Sequence, residues 1–208
     1  MRPFTIYTAE CTGNARNCLY PTEVIVQDIP TLQQAMRRDH VCAKYREDRR
    51  SAAGFQWSDC IPMDCDNDHS EDPADWKQPE DVAAAFPGVS FAVCYSRNHM
   101  KEKNGKAARP KFHCYFPVER ITDSKVYTAM KRQLQKRFPW FDANAMDAAR
   151  FYFGTKEPQV MFFAGEKTVD QVLPELIPAG SRNATLSQKA GGRIKRYGNT
   201  AKAEQVFR

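Results

Sequence analysis

The chain has 208 residues, 42% of them hydrophobic and 12% aromatic, with 31 Lys and Arg against 25 Asp and Glu for a net charge of +6. That is enough apolar material for a core and excludes wholesale disorder. No apolar run approaches the roughly 20 residues of a membrane helix, and Met1–Tyr7 lacks a signal-peptide core. The expectation is a soluble, cytoplasmic protein with no membrane partner, whose basic excess permits a polyanionic one.

In chain order, Phe4–Thr8 and Glu23–Val26 read as short strands. Thr31 is the expected cap of a helix through Leu32, Ala35 and Met36 that runs on to the charged stretch Tyr45–Arg50. Ser58–Asp66 reads as a strand running out into the acidic loop Asn67–Asp75. A helix over Pro79–Phe86 stops at Pro87-Gly88, and Val89–Ser96 and Lys111–Val118 are strands around the basic loop Arg97–Pro110. A helix opening at Asp123 or Ser124 carries Val126, Met130, Leu134 and Phe138 as its apolar stripe, with Lys131 off it. Ala149–Gly154 and Val160–Ala164 read as strands and Val169–Leu173 as a short helix. From about Pro178 the composition turns basic and poor in large apolar residues, which suits a linker followed by short helices. The expected division is therefore 1–176 and 177–208. The abrupt end at Val206-Phe207-Arg208 leads us to expect a longer parent chain.

Seven cysteines without a CxxC pair argue against a disulfide framework. Cys60, Cys65 and His69 lack standard zinc spacing, and free thiols used as small core residues are the preferred reading.

The first chemical signal is Asp64-Cys65-Asp66. On a strand, Ile61, Met63 and Cys65 share an apolar face, and Asp64 and Asp66 share the other. Two adjacent carboxylates repel, and Mg²⁺ or Mn²⁺ relieves that repulsion through hard oxygen ligands. The alternative is a solvated strand end. The second signal is Lys111-Phe112-His113-Cys114-Tyr115, where Lys111, His113 and Tyr115 share a face suited to gripping a triphosphate. The preceding strand offers small residues, Ser90, Ala92, Cys94 and Ser96. They leave room for a ligand or let a helix pack closely. Arg97 opens a loop able to fold over phosphates. A third acid follows an apolar neighbour at Phe141-Asp142, and again at Met146-Asp147. Arg150 and Tyr152 share a face opposite Phe151 and Phe153 if that stretch is extended, leaving Arg150 to pair with a phosphate or with Asp142 or Asp147.

Taken in order, Asp64-x-Asp66, the His113 strand, Phe141-Asp142 and Ala149-Arg150-Phe151 resemble the motifs of the archaeo-eukaryotic primase superfamily, in particular primase-polymerase domains of phages and plasmids. The resemblance covers about residues 1–176. It implies an α+β fold with a catalytic palm sheet of RNA-recognition-motif type and an N-terminal αβ module. It implies that Asp64, Asp66 and Asp142 hold two Mg²⁺ or Mn²⁺ ions, and that His113 contacts the phosphates of a nucleoside triphosphate, with Lys111, Arg97, Ser96 and Arg150 as further nucleotide-binding residues. The partners implied are a single-stranded DNA template and primer. The stretch from Gly180 looks like the start of a helical primase C-terminal domain, which in such proteins often precedes a helicase. Lys111 departs from the pattern, since a small residue usually stands two before the histidine. The rival readings are a replication-initiator or relaxase nuclease, for which a second histidine is missing at Cys114-Tyr115, and a non-catalytic nucleic-acid-binding module.

Overall fold

The computed structural model describes residues 2–102 and 105–176; the stretch 177–208 lies outside the described residues. Residues 1–170 form one compact unit and a second begins at Gln171. No helix among the described residues is long and apolar enough to cross a membrane.

The N-terminal module is built from β1 (Phe4–Thr8), β2 (Thr22–Val26), helix α1 (Ile29–Met36) and β3 (His40–Val41), with antiparallel sheet order β2-β1-β3. The α1 helix starts two residues before Thr31. Its cap is Asp28, whose carboxylate accepts from the Thr31 amide at 2.8 Å, while the Thr31 hydroxyl accepts from the Asp28 amide at 3.2 Å. The helix ends at Met36, far short of Tyr45–Arg50. There the buried Asp39 carboxylate gathers the amides of Gly13, Asn14 and Gly154, each at 2.8 Å, and the chain turns into β3.

The palm sheet follows: β4 (Lys44–Tyr45), β5 (Phe55–Cys65), helix α2 (Pro79–Ala85), β6 (Phe91–Tyr95), β7 (Phe112–Ile121), helix α3 (Ser124–Arg137), β8 (Val160–Phe163) and helix α4 (Val169–Leu176). Its order is β4-β5-β7-β6-β8, all antiparallel. The architecture is therefore α+β. The central order β5-β7-β6 is that of the first three strands of an RNA-recognition motif. The fourth strand departs from that motif, since β8 joins the β6 edge and β4 occupies the edge beside β5.

One sheet face is aromatic. Phe116 meets Phe91 beside it and Phe86 and Phe141, which follow α2 and α3, and Phe86 meets Phe138 with ring centroids 4.5 Å apart. Each buried ring contributes about 2 kcal/mol. On the other face, Cys60, Ala92, Cys94 and Tyr115 pack against Phe4, Ile6, Leu32 and Met36 of the N-terminal module. A bulge between Ser58 and Cys60 turns out Asp59, whose carboxylate accepts from the Thr5 amide and hydroxyl at 2.8 Å and fastens β1 to β5.

Two readings are corrected. The buried stripe of α3 is Tyr127, Lys131 and Leu134, and Val126 is 49% exposed. Tyr127 reaches the Phe55 ring at 5.2 Å, which rotates the helix and carries Lys131 inward. Residues 149–154 form no ladder strand: Ala149 lies in a turn, and the stretch is bridged once, His40 and Tyr152 exchanging amide–carbonyl bonds of 2.8 and 2.9 Å.

Candidate active site

Strand register sets the centre of the site. Asp64 on β5 lies opposite His113 on β7, and His113 lies opposite Cys94 on β6. The His113 Nδ1 is 2.6 Å from Asp64 Oδ1. A carboxylate only accepts, so Nδ1 carries the proton and Nε2 is left for a second partner. The Arg150 guanidinium donates to the other Asp64 oxygen at 3.1 Å. The Asp142 amide donates to the Asp64 carbonyl at 2.8 Å. Four separated stretches thus meet at Asp64, two of them at its carboxylate and one at its carbonyl, and its side chain is 4% exposed.

Charge follows from that geometry. Burial pushes the Asp64 carboxyl up, but His113 and Arg150 outweigh it and hold the group below its ordinary value. The neighbouring Asp66 is raised, chiefly by burial, with Lys111 opposing and the Asp64 charge adding to the rise. Lys111 sits 3.6 Å from Asp66 and 3.5 Å from Asp68 and is itself nearly buried. Burial works against the Arg150 charge, yet Asp64, and more weakly Asp142, raise its pKa.

The remaining predicted residues lie nearby in different roles. Asp142 caps the short turn Ala143–Ala145, its carboxylate accepting from the Asn144 amide at 2.8 Å and side chain at 3.1 Å. Asp147 is exposed and bonds to the Ala149 amide. Ser96 follows β6, its amide donating to the Lys111 carbonyl at 2.9 Å. Arg97 is exposed and stacks on Phe153, with its guanidinium carbon 3.6 Å from the ring centroid. Tyr115 does not join a triphosphate-facing set. It is fully buried, with its hydroxyl 2.9 Å from His40 Nε2, because that part of the sheet face is covered by α1 and β1. The same covering fills the space that the small residues Ala92 and Cys94 leave. Cys60 and Cys65 are an odd number of residues apart on β5, so they point to opposite faces, and His69 bonds to the Asp75 carbonyl.

Three residues beside Asp64 and His113 have placements that the sequence did not disclose. His40 is buried and neutral: Nδ1 donates to the Arg38 carbonyl at 2.9 Å, Nε2 accepts from Tyr115, and burial lowers its pKa to about 4. Tyr152 stacks on His40 at 5.6 Å and meets the His113 ring edge-on at 4.8 Å, fixing the imidazole from behind. Lys131 is fully buried with no hydrogen-bond partner for Nζ, and burial lowers its pKa to about 8 against the pull of Asp64 and Asp147. A histidine beside Asp39 and a lysine in a basic helix look ordinary until the fold closes around them.

Asp64 and Asp66 are hard oxygen donors on one strand face, a donor set whose chemistry suits Mg²⁺ or Mn²⁺. Among the described residues no three His, Cys, Asp or Glu side chains are gathered as a metal cluster. Arg150 and Lys111 supply the positive charge at the two carboxylates.

No family model and no curated protein matches the chain. Among solved structures, the AEP domain of the cyanophage S-2L primase-polymerase aligns with 85% of this chain and 89% of that one, at 15% identity and a TM-score of 0.49.

Proposed function

We propose that the protein is a template-directed nucleotidyltransferase, a DNA primase or polymerase that makes or extends primers on single-stranded DNA. The observation that carries this reading is the convergence on Asp64: His113 faces it across the β5–β7 register, the Asp142 amide bonds to its carbonyl, and Arg150 bonds to its carboxylate. These are the stretches through which the sequence resembles the primase superfamily.

The chain's own residues divide the work by charge. Lys111, His113 and Arg150 supply donors to the phosphates of an incoming nucleotide at the place where negative charge builds during transfer. Tyr152 and His40 hold the His113 ring so that Nε2 meets the triphosphate while Nδ1 stays on Asp64. Asp64 and Asp66, with Asp142 beside them, would hold Mg²⁺ or Mn²⁺. Bound there, such ions lower the pKa of the attacking 3′-hydroxyl and neutralise departing pyrophosphate. Arg150 then exchanges Asp64 for phosphate, the two anions being alternatives for one guanidinium.

The nuclease reading needs a tyrosine nucleophile. Tyr115 and Tyr152, the tyrosines whose rings meet His113, are 0% and 2% exposed, and burial raises both phenols. A non-catalytic binder has no use for a desolvated Asp64.

The test is incubation with unprimed and primed single-stranded template, labelled nucleotides and Mg²⁺ or Mn²⁺. Asp64→Asn and Asp66→Asn should each lower incorporation by at least about 10³-fold, and His113→Ala by about 10²-fold. Wild-type protein that incorporates nothing on either template, or an Asp64→Asn variant near wild type, overturns the reading.

A further inference from the structure

The extended stretch Arg150–Phe153 has two sides. Arg150 and Tyr152 face Asp64 and His113. Phe151 and Phe153 alternate to the opposite side, as extended backbone requires. Their rings meet edge-on with centroids 4.9 Å apart, and both are half-buried. A guanidinium covers each: Arg50 lies over Phe151 at 4.7 Å and Arg97 over Phe153 at 3.6 Å. The result is a row of cation, ring, ring and cation along the outer wall of the candidate active site.

Core packing accounts for only part of this row: Phe151 packs against the cluster of Tyr7, Tyr20 and Tyr45, yet both rings stay partly exposed. Neither guanidinium takes part in an ion pair among the described residues. Arg50 spends one nitrogen on the Ala149 carbonyl at 2.9 Å, and its Nε has no partner. Arg49 is exposed next to it along the chain, and Asp48 before it is paired with Lys44. Flat apolar faces flanked by cations that form no ion pair complement a polymer of planar bases and phosphates.

We propose that Arg50, Phe151, Phe153 and Arg97 form a track for single-stranded nucleic acid, the rings stacking on bases and the guanidiniums pairing with phosphates. The track assigns Arg97 to the polynucleotide rather than to the incoming nucleotide. Because residues 150 and 152 share the same stretch of backbone, a strand on the outer side lies one backbone thickness from Asp64. Its role as the template path rests on the nucleotidyl-transfer reading; its capacity to bind a single strand does not.

Binding of a fluorescein-labelled oligothymidylate to the full 208-residue chain is measured by anisotropy with a chelator and without nucleotide. Phe153→Ala and Arg97→Gln should each weaken binding on the order of 10-fold. Phe153→Trp should keep the affinity and show emission quenched by the oligonucleotide. Arg97 is exposed, so its variant reports even if Phe153→Ala fails to fold. The track is overturned if Arg97→Gln binds within about two-fold of wild type. It is also overturned if Phe153→Trp loses affinity while its circular dichroism stays native, or if polyglutamate displaces the oligonucleotide as well as unlabelled oligothymidylate does. The two readings fail separately. Wild type that binds in this pattern but extends no primer ends the enzyme reading and leaves the track. Wild type that extends primers while the variants bind normally ends the track and leaves the enzyme.

Discussion

Lys131 shows what a single residue costs when a fold turns it inward. Its Nζ is buried without a partner, and burial lowers its pKa from 10.5 to about 8. Between pH 8 and 10.5 the unfolded chain holds a proton that the folded chain has released, so stability rises with pH across that window. Below it the full cost of the buried charge remains, about 3 kcal/mol. Lys131→Met should therefore be more stable than wild type by about 3 kcal/mol at pH 7, the gain shrinking toward about pH 10.5. Urea denaturation at both pH values checks this, and a variant less stable than wild type at pH 7 would show that the charge holds Asp64 in place. Arg150 tests the opposite case. Arg150→Ala strips one of the two donors from a buried carboxylate, and should cost about 2–3 kcal/mol in the same measurement.

At the scale of elements, the stretch from Ala149 to Gly154 depends on how closely it passes α1. The Gly154 amide donates to Asp39, and a Cβ at Gly154 would stand 2.5 Å from the Arg38 backbone. No side-chain rotation relieves a clash with backbone. Gly154→Ala should cost about 1–3 kcal/mol and shift Tyr152 and Arg150 away from His113 and Asp64. Thermal unfolding, together with incorporation assayed well below the melting temperature, separates the two effects. The helices were legible in the sequence to different degrees. The α2 bounds follow from Pro79 and Pro87-Gly88, signals carried by neighbouring residues. The inward face of α3 did not, because Tyr127 and Lys131 are ambiguous by type. Only the packing of Tyr127 on Phe55 decides between two stripes one residue apart.

For the whole molecule, the seam between the N-terminal module and the palm sheet gives stability an acid limb. His40 sits there, accepting from Tyr115 of β7 and stacking on Tyr152, with Asp39, Asp64 and His113 as its titratable neighbours. Its folded pKa of about 4 lies below the ordinary 6.5, so its stabilising effect is complete above pH 6.5 and is lost as pH falls toward 4. The loss from this group is about 3 kcal/mol. The Asp64 contribution is lost in a separate and lower window, because its carboxyl is held below its ordinary value. His40→Gln should flatten the limb between pH 6.5 and 4 in denaturant titrations, and an unchanged limb would place the sensitivity elsewhere.

The sequence by itself determined a mixture of strands and helices, the strands that bear Asp64 and His113, and the division of each into an apolar and a polar face. These rest on period-two alternation and on Pro, Gly and capping residues, which act within a few positions of one another. Tertiary structure alone decided which polar residues meet. The β5–β7 register brings together residues 49 positions apart, Arg150 reaches Asp64 across 86, and His40 reaches Tyr115 across 75. Tyr115 and His113 share a strand face and look equivalent in the chain. One is covered by the N-terminal module and the other is left at its edge, because burial depends on which element packs above a residue and not on its own neighbours in sequence.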